Sequence, residues 1–310
     1  SRYDADRGAE QAPLFLTGYF VMNDKKSYFL LWLLAWFAGI PHVGLAQNTD
    51  KVKAPLLEVA DGWQYRVAAT GLPGIDNLVL DEDGMLYATQ ELPNGAGKVI
   101  RLERGTKKIV VSGLNRADGL LLSGKFLYIT EEVNDGRVIE FDLTTKKQRV
   151  LATLNHPEGV ELLPDGDLVV AEDHMNGHLR RVSRKEGQMA EIILGGLNRP
   201  EGVAVAADGA IVFAETATGR VLSYKNGEMD VVLDDLDEPD QVEFAPDGAL
   251  WITEDVHLGR LLRLKDGQLE AILSGLRSPQ GMAFGKDGTI WLAERGRQRI
   301  LAISPKRASP

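Results

Sequence analysis

Carboxylates return along this chain at intervals too regular for a merely solvated surface. One series is Asp76, Asp118, Glu158, Glu201 and Asp240, with Gln280 in sixth place. A second is Glu131, Glu172, Glu215, Glu254 and Glu294, opened by Gln90. Like charges brought within a few ångströms raise one another's pKa and destabilise a fold. A bound cation, partner arginines or lysines, or distance and water must relieve them. A hard cation such as Ca²⁺ takes six to eight oxygens at flexible angles, and carboxylates arriving from several directions suit it. The first series is therefore a candidate metal or ligand site. The second has a plainer alternative. Lys98, Arg137, His178, Arg220, Arg260 and Arg299 follow its members by five to eight residues, as repeated ion-pair partners would.

The elements that position these residues are repeats. Pro-Glu-Gly stands at 157–159 and 200–202, with relatives at Ala117-Asp118-Gly119, Pro239-Asp240-Gln241, Pro279-Gln280-Gly281 and Ile75-Asp76-Asn77. The middle residues are spaced 42, 40, 43, 39 and 40 apart, the length of a four-stranded propeller blade. Seven residues after five of them comes Asp-Gly, a source of positive φ in a tight hairpin turn. Short apolar runs such as Val203-Ala204-Val205 and Leu250-Trp251-Ile252 flank the turns and read as strands. Both acidic series then fall at the same end of the first hairpin, and the first series rings one mouth of the central channel.

The sixth unit stops after its third strand, near Arg299 to Ser304. Trp63 to Leu72 reads as a fourth strand with no unit before it. Joining the two closes the ring and removes the exposed edges of an open array. The expected fold is all-β: a six-bladed β-propeller over residues 63–305, followed by a tail at 306–310 and preceded by a linker at 47–62.

Upstream, Asp24, Lys25 and Lys26 precede a 13-residue apolar run from Tyr28 to Ile40, then Pro41 and Gly44-Leu45-Ala46. That order is a secretory signal peptide at 22–46. The expectation is a start at Met22, an upstream segment 1–21 outside the native chain, and a mature protein from about Gln47. An uncleaved anchor is the alternative. Either implies export, to the periplasm or beyond if the source is bacterial.

The 310 residues carry 35 Lys+Arg against 45 Asp+Glu, a formal charge of −10, so the basic footprint of a nucleic-acid binder is missing. Without cysteine there are no disulfides, thiolate metal sites or Cys nucleophiles. No nucleophile elbow or phosphate loop occurs. His156, two before Glu158, is the candidate mouth acid or base, with a plain loop histidine as alternative. His174 and His178 are separated by Asn176-Gly177, which reads as a turn rather than helical metal-ligand spacing. Trp251 and Trp291 hold equivalent places and are expected in the core between blades.

The motifs His156-Pro157-Glu158-Gly159-Val160, Arg199-Pro200-Glu201-Gly202-Val203, Glu238-Pro239-Asp240 and Ser278-Pro279-Gln280-Gly281-Met282 carry a resemblance. The chain resembles the six-bladed gluconolactonase, senescence-marker-protein and strictosidine-synthase-like group and its NHL-repeat relatives. The resemblance implies a divalent cation, usually calcium, at the channel mouth, polarising a lactone or ester carbonyl. Matched residue by residue, it implies Asp76, Glu158 and either Glu201 or Asp240 as ligands and Asp118 as the acid-base residue; Asp76, Glu158, Glu201 and Asp240 together are the candidate ligand set. Ala117 stands where the group has Asn, and carboxylates stand where neutral ligands are usual. A non-catalytic propeller binding a protein, peptide or sugar, and a propeller lyase, are the other functions it allows.

Overall fold

The computed structural model describes residues 57–103 and 106–306. The signal peptide, the segment before it, residues 47–56 of the linker and the tail beyond Lys306 lie outside the described residues. Two strands precede the first complete blade: β1 (Glu58–Val59) and β2 (Trp63–Thr70). Blade one is β3 (Ile75–Leu80), β4 (Leu86–Gln90), β5 (Gly97–Glu103) and β6 (Thr106–Leu114). Blade two is β7 (Ala117–Ser123), β8 (Phe126–Glu131), β9 (Gly136–Asp142) and β10 (Gln148–Leu154). Blade three is β11 (Pro157–Leu162), β12 (Leu168–Glu172), β13 (Met175–Val182) and β14 (Glu191–Asn198). Blade four is β15 (Pro200–Val205), β16 (Ile211–Glu215), β17 (Arg220–Lys225) and β18 (Glu228–Leu233). Blade five is β19 (Pro239–Phe244), β20 (Leu250–Glu254), β21 (Gly259–Lys265) and β22 (Gln268–Leu276). Blade six is β23 (Pro279–Phe284), β24 (Ile290–Glu294) and β25 (Arg299–Pro305), with β2 as its fourth strand.

The first strands of successive blades touch one another all the way round, β23 meeting β3, so the ring closes. Its seam is the antiparallel pair β2–β25, in which Val67 faces Leu301. Only two single turns of 3-10 helix, Thr216–Thr218 and Arg295–Arg297, interrupt the β-structure of the described residues. The linker holds a strand that the sequence did not announce. Glu58 and Val59 pair with Ser274 and Leu273, adding β1 to the outer edge of blade five. Val59 and Leu57 pack there on the core between blades five and six, which makes the edge worth covering.

The Asp-Gly turns hold a refinement. Glycine alone takes positive φ, for instance 83° at Gly209. In four of the five turns the aspartate accepts a backbone N–H two residues on, as Asp208 does from Ala210 at 3.1 Å, while in blade one Asp81 accepts from Asp83 and Met85 instead. Ala206 accepts from Gly209 and donates to Ala210. These are type I turns closed by a left-handed glycine, not two-residue turns with both φ values positive.

Trp251 is buried between blades five and six beside Trp63. Trp291 is only half-buried; it carries Arg66 on its face and lines a groove between blades six and one.

Candidate site: an acidic channel mouth

The inner strands explain why the first acidic series converges. In Pro-Glu-Gly the proline opens the strand, the acid faces the mouth, and the glycine lets the next blade come close. A Cβ on Gly159 would stand 2.5 Å from the Glu201 carbonyl, and one on Gly202 2.5 Å from that of Asp240. Hydroxyls tie the blades together at the same level: Thr89 donates to the Asp118 carbonyl at 2.7 Å and Thr130 to that of Glu158 at 2.6 Å. Asp76, Asp118, Glu158, Glu201, Asp240 and Gln280 are consequently all buried.

The residue two before each of these is left-handed. Gly74 has φ 61°, Arg116 51°, His156 47°, Arg199 55°, Glu238 46° and Ser278 46°. In every blade its carbonyl accepts the N–H of the residue that follows the second strand: Glu91, Glu132, Asp173, Thr216, Asp255 and Arg295. This third ring was passed over in the sequence, although its members directly follow the second series. Strand alternation is the signal. Where one side chain turns into the blade, its neighbour turns toward the mouth.

The second series does turn into the blade. Glu131 binds Arg137, with Nη2–Oε1 2.6 Å; Glu215 binds Arg220 at 2.7 Å; Glu254 binds Arg260 at 2.5 Å. Glu172 meets His178 at 2.9 Å, and Glu294 binds Arg297 and Arg299. One oxygen of each also accepts a backbone N–H at the entry to its own blade, for example Glu131 Oε1 from Asn115 at 2.8 Å. Gln90 lacks the charge and donates to the Pro73 carbonyl at 2.7 Å. Glu131, Glu172, Glu215 and Glu254 thus stitch blades rather than line the mouth.

At the mouth the acids gather in overlapping groups. One oxygen each of Glu158, Glu201 and Asp240 lie within 4.8 Å of one another, as do those of Asp76, Glu91 and Asp118, and of Glu132, Glu158 and Asp173. Asp76 is therefore grouped with Asp118, apart from the three expected fellow ligands. Arginines divide the charge. Arg295 bridges Asp76, at 3.1 Å, and Glu91. Arg116 bridges Glu91, at 2.6 Å, and Glu132. Arg199 holds Asp173 at 2.9 Å and Glu201 at 2.6 Å. His156 stays on the rim, with Nδ1 3.0 Å from Asn155 Oδ1. Gln280 faces Arg295 at 3.5 Å.

Three arginines do not satisfy this many acids. Asp76 Oδ1, Asp118 Oδ1, Asp240 Oδ2 and Asp255 Oδ1 are buried without a hydrogen-bond partner among the described residues. Burial lifts the Asp76 carboxyl to about 7 against the pull of Arg295. Burial, then Asp173, lift Glu201 to about 8 although Arg199 opposes them. Burial and then the neighbouring acids push Asp118, Glu158 and Asp240 well above the usual carboxylate range. Oxygen-only donors, partly unpaired and converging, fit a hard divalent cation.

Beyond the ring the channel widens into a cavity of about 290 Å³. Asn77 and Gln241 floor it on the mouth side, and Leu80, Leu122, Phe244 and Phe284 line its far end. Two acids interrupt this apolar lining, Glu161 and Glu243. Burial raises Glu161 to about 7; burial and then Glu161 push Glu243 well up. Both acids hold protons in the fold at a pH where the unfolded chain has released them. The Glu161 share of stability is therefore full below about pH 4.5 and lost as pH rises through about 7, and the Glu243 share changes in the same direction. Glu161→Gln should raise Tm by roughly 3–6 °C at pH 8 and leave it unchanged at pH 4. Equal melting at pH 8 would show that the channel hydrates the pair.

Fold and mouth together define the class: a closed six-bladed β-propeller with an acidic, arginine-braced channel mouth. Solved structures of this architecture superpose on it at low identity. A gluconolactonase from Xanthomonas campestris matches with a TM-score of 0.68 and 12% identity over 80% of this chain and 91% of its own. A luciferin-regenerating enzyme gives 0.64 and 10% over 78% and 95%. Virginiamycin B lyase from Staphylococcus aureus gives 0.58 and 15% over 81% and 100%. No family model and no curated protein sequence matches the chain.

Proposed function

We propose that this propeller is an exported hydrolase of a small lactone or ester that works with a divalent cation, calcium first, at the channel mouth. The observation that carries the proposal is the convergence of Glu158, Glu201 and Asp240 beside unpartnered buried oxygens of Asp118 and Asp240. Those three acids are the ligand set. Held there, a divalent cation supplies Lewis acidity and a bound water of lowered pKa. Asp118 is the general base: its free oxygen is buried at the mouth, and burial with its acidic neighbours keeps its proton affinity high. Asp76 lies beside Asp118, where its charge raises that residue's proton affinity, and it anchors Arg295. The superposed gluconolactonase supports the choice of a lactone.

Calcium titration of the melting transition tests the site. Calcium at about a hundred times its Kd should raise Tm by roughly 5–10 °C. Glu201→Gln combined with Asp240→Asn should remove the shift. No shift with calcium, magnesium, manganese or zinc would overturn the metal and favour a propeller that binds a protein, peptide or sugar. The superposed lyases and the rim position of His156 motivate one other outcome, an unsaturated elimination product in place of a hydrolysed one.

A further inference from the structure

Blade three departs from the repeat at two places, and both departures put a histidine beside one buried carboxylate. In blades two, four, five and six the glutamate ending the second strand is bound by an arginine heading the third. In blade three that place belongs to His178, whose Nδ1 lies 2.9 Å from Glu172 Oε2. The second departure is two residues past the glutamate. Val133 and Val256 stand there in blades two and five, each donating its N–H to the glutamate's own carbonyl at 2.8 and 2.9 Å. Blade three keeps that bond, at 2.9 Å, but carries His174.

The turn between the histidines folds them together. Asn176 is left-handed, with φ 61°. A Cβ on Gly177 would collide with the carbonyls of Glu172 and His174, so the chain passes close beneath. The two rings meet edge to face, with centroids 5.9 Å apart. One donor atom each of Glu172, His174 and His178 lie within 4.8 Å of one another.

We propose that Glu172, His174 and His178 form a second metal site, for a borderline cation such as Zn²⁺ or Cu²⁺, apart from the channel mouth. Two imidazoles and a carboxylate suit those ions, whereas calcium takes oxygen. The supporting contacts are in place. His174 Nδ1 lies 2.9 Å from the Met175 carbonyl, which fixes the proton there and leaves Nε2 its lone pair. Glu172 Oε1 is held by the Asn155 N–H at 2.9 Å, leaving Oε2 as the donor. Zinc bonds of about 2.0–2.1 Å in a tetrahedron need donors about 3.3 Å apart. The His178–Glu172 contact opens by a few tenths of an ångström when the ion replaces the shared proton. Arg180, with Nη1 3.5 Å from Glu172 Oε2, is the opposing charge and lowers the affinity. Three protein ligands leave a fourth position to water, and the partly exposed turn at 174–176 is the entry path.

The test is zinc titration by calorimetry on the full chain in saturating calcium, together with Cu²⁺ EPR. One equivalent of zinc should bind, and the copper spectrum should show coupling to two imidazole nitrogens. The repeat itself supplies substitutions that fold: His174→Val copies blades two and five, and His178→Arg copies blades two, four, five and six. Each should weaken zinc by at least about tenfold, the least that disturbing a metal site costs. The Glu201→Gln, Asp240→Asn variant should bind zinc unchanged. Absence of binding, binding that survives both histidine substitutions, or binding lost with the mouth variant would each overturn the site.

Discussion

Asp118→Asn should lower turnover of lactones and esters by about 10²–10⁴-fold while leaving calcium binding intact. That factor is what a positioned general base contributes. The same change should raise the Tm of the calcium-free protein, because it removes a buried carboxyl that has no partner for one oxygen and three acids around it. Opposite movements of activity and stability separate this role from a structural one, since a residue needed only for folding would lose both together. Steady-state rates with and without EDTA, beside a melt of each form, read both quantities. Full activity in the variant would remove Asp118 from the chemistry.

Arg295→Met should cost the fold about 3–5 kcal/mol, the usual penalty for removing one partner of a buried ion pair. Asp76 and Glu91 are both buried, and Arg295 reaches both. Without it Glu91 keeps Arg116, while Asp76 keeps no cation within salt-bridge distance among the described residues. Tm in EDTA should fall by roughly 10 °C. Arg181→Met is the control. Arg181 pairs with Asp165 and Asp167 on the exposed hairpin of blade three, where such pairs contribute under about 1 kcal/mol. Equal losses at the two sites would mean that the mouth is hydrated and the bridge exposed.

The architecture was legible because propeller repeats punctuate themselves. Asp-Gly turns and Pro-Glu-Gly entries recur at blade length, and the missing fourth strand of the last unit points to Trp63–Thr70. Which acids share a site was legible only by series. The sequence shows that Asp76 and Asp240 hold equivalent places. It does not show that Asp76 faces Asp118 and Arg295 while Asp240 faces Glu158 and Glu201, because those contacts cross between blades. Glu91, Asp255 and Arg295 were open to a stricter use of alternation: each follows a residue already recognised. Glu161 and Glu243 interrupt a row otherwise filled by Val79, Leu121, Ala204 and Ala283, a break visible once the inner strands are aligned. The left-handed backbone at Arg116, His156, Arg199, Glu238 and Ser278 was hidden, since glycine occupies that place only once.

The seam between β2 and β25 has a consequence in time. Thr70 lies against Arg299, and between them runs every other blade. The seam, with Trp63 against Pro305 at its other end, closes the longest loop in the domain, so it should form late, after chain entropy has been lost over the whole circuit. Until it forms, blade six lacks its outer strand and offers an unpaired edge to other chains. Once formed, it gives the array no terminal blade from which to fray. A folded ring of this kind should have its lifetime set at one clasp, and persistence against proteases is then expected to be a rate governed there rather than a sum over six blades.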